Sequence, residues 1–240
     1  PLNADNTSSD LEDVSVKANA LTATNITSAD AVTGVRNKAT DFDGSTEYLS
    51  CTDAACGGTS DLDYTGSGGW SVGAWVKLTS TSGDQGIIAK YNSASRGYLL
   101  YLTGGKFYWM IDAGAANVNA VSTTVPGTGI WYYVAGTYDG STTTKIYVNG
   151  VLEATTTTAT GIANSTDNFE VGAYNGAANF FSGTIDEPFV TATALTAGQI
   201  KHMYEVGYRA LQSHSSTLLG GGAADSNQQL GYISTGTNTV

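Results

Sequence analysis

A hydrolytic active site on strands needs two carboxylates facing one cleft. The spacing that achieves this, Glu-x-Asp-x-x-Glu with alternate residues on one face, does not occur in the sequence. Asp186 and Glu187 are adjacent, so strand geometry sends them to opposite faces, where they cannot share a substrate. Only two histidines, His202 and His214, are available as bases, and both fall in or beyond a C-terminal helical segment. A Ser/His/Asp triad therefore has little to draw on, and His202 reads as a helix-surface or packing residue. No Gly-x-Gly-x-x-Gly follows a strand and opens a helix, and no P-loop pattern occurs. These residue types argue against an enzyme.

Two other groups of residues could do chemistry. Cys51 and Cys56, in Cys-Thr-Asp-Ala-Ala-Cys, can close a small disulfide ring. Two buried thiols, or half of a metal site, are the alternatives, although a zinc site would want further Cys or His nearby. The disulfide is the preferred reading, with an oxidising or extracellular setting as its consequence. The second group is the acidic excess: 21 Asp and Glu against 10 Lys and Arg give a net charge of −11. No basic patch exists to attract a phosphate backbone, so nucleic-acid binding is not expected. Surplus carboxylates favour hard cations such as Ca²⁺, or simply make a soluble, self-repelling surface.

The elements that must position these groups are short strands. Residues 131–150, WYYVAGTYDGSTTTKIYVNG, contain two of them. Trp131, Tyr133, Ala135 and Thr137 share one face, and Tyr132, Val134, Gly136 and Tyr138 the other. Asn149-Gly150 is a strong hairpin signal, because a type I′ turn needs positive φ at both central positions. Both faces are bulky, which predicts strands in mid-sheet, covered on each side. Trp70–Thr79 alternates in the same manner, and Gly104-Gly105 predicts a second two-residue hairpin. Further strands are expected near Gly86–Lys90, Tyr98–Thr103, Lys106–Asp112, Asn117–Ser122, Asn168–Tyr174 and Gly183–Thr191.

Thr196-Ala-Gly-Gln199 has capping-box spacing and predicts one short helix, with Gly207 as its C-terminal stop. Gly-rich and polar punctuation, 30 glycines in all, suits an all-β chain of many short strands. No apolar run is long enough to cross a bilayer, so membrane insertion is not expected. The chain divides into a polar lead-in at 1–13, a sandwich at 14–212, and a Ser/Gly/Asn-rich tail or linker at 213–240.

The central hairpin also carries a resemblance. Trp-x-x-Val-Ala-x-Thr-Tyr-Asp-Gly followed by Ile-Tyr-Val-Asn-Gly resembles the laminin G-like, concanavalin A-like (pentraxin-related) modules. Ala39–Leu49 is similar to that family's first core strand, and Gly183–Val190 to its last. The resemblance implies a two-sheet antiparallel jelly-roll sandwich closed by a short C-terminal helix. It also implies that the strands carrying Asp43 and Asp186 are neighbours, with a structural Ca²⁺ near their carboxylates and the Gly44 carbonyl. Ligand binding is implied at rim loops, at the loosely aligned Asn92 and Asn175, and Tyr174 beside them offers an aromatic face by its residue type. Tyr91, Tyr98 and Trp109 are further aromatic faces for a sugar ring. The function expected is a non-enzymatic recognition or adhesion module, extracellular or on a virion, binding glycan or a cell-surface protein. The alternative is a structural subunit of a fibre, appendage or capsid decoration, homo-oligomeric through its termini.

Overall fold

The computed structural model describes residues 2–3, 12–13, 19, 21–56, 62, 68–93, 97–112, 117–157 and 165–218. A two-stranded ribbon comes first, β1 (Leu2–Asn3) with β2 (Glu12–Asp13). Then follow β3 (Thr22–Thr24), β4 (Ala31–Thr33), β5 (Lys38–Asp43) and β6 (Tyr48–Cys51). The middle of the chain forms β7 (Trp70–Leu78), β8 (Gln85–Lys90), β9 (Tyr98–Thr103), β10 (Lys106–Asp112) and β11 (Asn117–Val121). The central hairpin is β12 (Trp131–Tyr138) and β13 (Thr143–Val148), continued by β14 (Val151–Thr157). The last elements are β15 (Phe169–Val171), β16 (Ser182–Thr191) and α1 (Ala197–Leu218).

Two antiparallel seven-stranded sheets face one another, ordered β11-β10-β9-β8-β15-β6-β3 and β14-β13-β12-β7-β16-β5-β4. Alternation decides what each strand puts between them. Trp70, Tyr98, Trp109 and Tyr138 point inward and meet at ring-centroid distances of 5.0 to 6.2 Å. Gly136 leaves room for this cluster, since a Cβ there would lie 2.3 Å from the Trp109 ring. Asn149 and Gly150 take φ of 50° and 76° between paired Val148 and Val151, as a type I′ turn requires.

The outer face of the second sheet is covered by α1. Trp75, Tyr133, Ala135 and Tyr147 meet Ile200, Met203 and Tyr204 of the helix, with Trp75 and Tyr204 stacked at 5.6 Å. This explains why β12 is bulky on both faces. The helix starts at the expected capping box, where Gln199 Oε1 accepts from Thr196 N at 2.8 Å. It does not stop at Gly207. That residue is buried inside α1, which continues to Leu218 and so crosses position 213.

Gly207 is a packing residue: a Cβ there would come within 2.5 Å of the Trp75 indole nitrogen. Gly207→Ala is therefore expected to destabilise by about 1–2 kcal/mol, although alanine is the better helix former by about 1 kcal/mol. Thermal melting checks this; a stabilised variant would restore the stop reading.

Candidate functional site

α1 covers the outer face of one sheet; on the outer face of the other, Ala89, Leu99, Met110 and Tyr174 form a smaller buried cluster with Tyr91 and Tyr101 packed against it and partly exposed. Residues 172–181, joining β15 to β16, organise its rim. Gly172, Asn175, Gly176, Ala177 and Asn179 all take φ between 51° and 82°. Such a run of left-handed residues persists only where surrounding contacts impose it, and those contacts are present. The buried Glu170 accepts from Ala177 N at 2.7 Å. Gly86 N donates to Asn179 O at 2.9 Å, and Asn175 N to Tyr91 O at 3.2 Å. Burial pushes the Glu170 carboxyl above the ordinary range, against the lowering effect of N–H donors from Ala177 and Gly176.

The loop seats Tyr174 in an aromatic face. Tyr174 lies 6.2 Å from Tyr91 and 5.9 Å from Tyr101, and Tyr101 lies 5.3 Å from Tyr108. Tyr91, Tyr101 and Tyr108 are half-buried, so parts of their rings reach solvent. Burial, then the neighbouring Tyr108 and Asp84, pushes the Tyr101 phenol up to about 12. Burial raises Tyr174 as well, with Asp84 next. Both phenols stay neutral at ordinary pH.

Asp84 joins this face to a groove of about 400 Å³ at the end of the sandwich. Its carboxylate accepts from the Thr103 hydroxyl at 2.5 Å and bonds Tyr174. Asp43, Ser80, Ser82, Asn179, Phe180 and Ser182 are among the groove's walls. Gln85 is the scaffold beneath, donating to the Ser80 and Ser82 carbonyls at 3.0 and 2.9 Å and accepting from Ser182 N at 3.0 Å. The volume falls in the range of small-ligand pockets, and the Phe180 ring adds an apolar surface.

The residues predicted from sequence separate into four groups. Asn92, Tyr174 and Asn175 are brought together: Ser93 N donates to Asn175 Oδ1 at 3.0 Å, and Asn92 Nδ2 to Asp167 Oδ1 at 2.9 Å. Both amide oxygen and amide nitrogen are thus used in holding the rim. Tyr98 and Trp109, offered as sugar platforms, are instead inside the sandwich core at 1% and 0% exposure, because inward and outward positions alternate on β9 and β10. Cys51 and Cys56 are disulfide-bonded, with Cα atoms 5.9 Å apart. The loop they close carries Asp53, which accepts from buried Lys90 at 2.7 Å. Lys90 also donates to the Ser165 and Asp167 carbonyls, tying the disulfide loop to the Asn92 partner.

The expected calcium ligands Asp43, Gly44 and Asp186 do not converge. β5 and β16 are neighbours, but Asp43 pairs with Ser182, four residues from Asp186 and so about 13 Å along the strand. Asp43 is also saturated by its own turn, accepting from the backbone N–H of Ser45, Thr46 and Glu47 and from two hydroxyls. Those bonds outweigh a desolvation that acts to raise its carboxyl, and they hold it well below the usual range. Asp186 Oδ2 accepts from Val35 N at 2.7 Å and Arg36 N at 2.9 Å. The two carboxylates therefore do separate structural work. Among the described residues no three His, Cys, Asp or Glu side chains cluster as a metal site.

Asp186 gives a pH prediction. Burial, with the charge of neighbouring Glu187, raises its carboxyl from the ordinary 3.8 to about 6, overcoming the N–H donors of Arg36, Val35 and Glu187. The folded state thus holds this proton more tightly than the unfolded chain does. Below about pH 4 the group is protonated in both states and costs nothing. As pH rises to about 6 only the unfolded state ionises freely, so stability falls, by no more than about 3 kcal/mol. Denaturant titrations of wild type and Asp186→Asn between pH 4 and 7 check this: the variant's profile is expected to be flatter.

Tyr101, Tyr108, Asp84, Gly86 and Phe180 were not singled out by sequence reasoning. For the first two a signal existed. Counting back from the Gly104-Gly105 turn pairs Thr103 with Lys106 and Tyr101 with Tyr108, on the face opposite Leu102 and Phe107.

The fold and rim define a lectin-like two-sheet sandwich. The model of the concanavalin A-like lectin/glucanases superfamily matches residues 43–201, and the chain belongs to that family. No curated protein matches the sequence significantly. Among solved structures, the binding domain of Paraclostridial Mosquitocidal Protein 1 aligns with a TM-score of 0.67 at 12% identity, over 84% of this chain and 51% of that one. The ligand binding domain of botulinum neurotoxin serotype D, in complex with N-acetylneuraminic acid, gives 0.65 at 15%, over 85% and 50%. Domain 4 of AbnA, a GH43 extracellular arabinanase from Geobacillus stearothermophilus, in complex with arabinotriose, gives 0.58 at 21%, over 72% and 80%. The chain spans about half the length of the two toxin domains. Among the described residues, no helix is long and apolar enough to cross a membrane.

Proposed function

We propose that this chain is a non-catalytic carbohydrate-binding module working outside the cell. The observation that carries the reading is the row of half-exposed rings Tyr91, Tyr101 and Tyr108 packed around the buried Tyr174, which Asp84 links to the groove, on the sheet opposite the one α1 packs on. The C–H face of a sugar ring lies well on a tyrosine ring, and its hydroxyls find acceptors and donors at the rim. The arabinotriose complex of AbnA domain 4 supports the reading, and the Cys51–Cys56 bond supports an oxidising location. No step of it runs through calcium at Asp43 and Asp186.

Calorimetric titration with a panel of oligosaccharides, arabino-oligosaccharides included, tests the proposal. Tyr101→Ala and Tyr108→Ala are each expected to weaken binding about tenfold with the melting profile kept. Wild-type protein that binds no oligosaccharide at millimolar concentration refutes it.

A second reading, an assembly subunit, draws on Val151, Leu152, Val206 and Tyr208, large apolar side chains exposed on β14 and α1. A monomer in sedimentation at high concentration removes it.

A further inference from the structure

The charge around the groove narrows the class of sugar. Asp43 and Asp84 line it, and none of its lining residues is a lysine or arginine. Glu47, whose Oε2 accepts from Asp43 N at 2.7 Å, lies within the electrostatic reach of Asp30, Asp41 and Asp43. Lys106 sits across the hairpin from Thr103, the partner of Asp84, and is not among the groove's lining residues. Asp43 has no acceptor capacity to spare, since five donors already reach it. Asp84 does: a carboxylate offers about four acceptor sites, and Thr103 and Tyr174 fill two. Asp84 is exposed and lines the groove, so a solute in the groove can reach it.

We infer that this site selects uncharged oligosaccharides and rejects those bearing a carboxylate or sulfate. The inference rests on the carbohydrate-binding reading. A sugar hydroxyl can donate to Asp84; an ionised carboxylate or sulfate has no proton to offer and meets a like charge with no cation in the groove to compensate. The net charge of −11 adds repulsion at a distance and slows the approach of an anion.

The test is a matched pair: a neutral oligosaccharide that binds, and the same oligosaccharide carrying a terminal sialic acid. The sialylated form is expected to bind at least about tenfold more weakly at low salt. The gap should narrow as sodium chloride is raised, because screening acts only on the charged ligand. Asp84→Asn is expected to raise the sialylated-to-neutral affinity ratio severalfold. Ser82→Lys, at an exposed groove position whose side chain makes no bond in the fold, should do the same if Asp84→Asn disturbs Tyr174. Equal or tighter binding of the sialylated form overturns the selectivity while leaving the carbohydrate-binding reading in place. Ratios that neither variant moves also overturn it. Binding of neither sugar, across the whole panel, sinks the parent reading and the inference with it.

Discussion

Trp109→Ala is expected to lower stability by about 3–5 kcal/mol. The indole is fully buried between Trp70 and Tyr98, and its Nε1 donates to the Thr137 carbonyl at 3.2 Å. Strand β12 is shaped around it, with Gly136 flattened beneath the ring. A close-packed interior of this kind collapses little around a missing ring, so the cavity persists and adds to the lost transfer free energy. For a chain of this size each kcal/mol lowers the melting temperature by about 2–4 °C, which makes the shift readily measured. Tyr108→Ala, on the outer face, is the comparison: its ring is half-exposed, and a much smaller shift is expected. Equal shifts would contradict the assignment of inward and outward faces on β10.

Gly86→Ala is expected to abolish oligosaccharide binding, with a loss of about a hundredfold or more and a stability cost of about 1–3 kcal/mol. A Cβ at Gly86 would stand 2.5 Å from the Ala173 carbonyl carbon, 2.6 Å from its oxygen and 2.9 Å from Tyr174 N. All three are backbone atoms, so no side-chain rotation relieves the clash. The rim loop must lift, carrying Tyr174 off Tyr101 and straining the Gly86 N–H to Asn179 bond. Binding is expected to fail by more than the loss of one ring would explain, because the loop also holds Phe180 and Asn179 in the groove. Gly68→Ala is the control. A Cβ there meets nothing within 4 Å, and a change within about 0.5 kcal/mol with intact binding is expected. A bound Gly86→Ala protein with wild-type affinity would remove the rim loop from the site.

The local features of this protein were open to reading from residues alone. Alternation along Trp70–Leu78 and Trp131–Tyr138, the Asn149-Gly150 turn and the Thr196–Gln199 cap each depend on neighbours a few positions away, and each stands as expected. The family's strand order followed from segments that match it, and β5 does lie beside β16. Gly207 shows the limit of local reasoning. Its sequence context matches a helix stop, yet Trp75, more than a hundred residues earlier, decides its role.

The site shows the same limit on a larger scale. Asn92, Tyr174 and Asn175 meet because β8 and β15 pair, and that pairing joins strands some eighty residues apart. Asp43 and Asp186 fail to meet because a neighbouring-strand relation says nothing of register: four residues of offset separate them by more than the span of one ion's coordination shell. Composition and period therefore determined an all-β chain of short strands and tight turns, and the family resemblance supplied its two-sheet arrangement. Which loops share a rim, which tyrosines face outward together and which carboxylate keeps acceptor sites open were decided only in the tertiary structure. The physical reason is that these depend on register and on contacts between distant strands, and no local propensity encodes either.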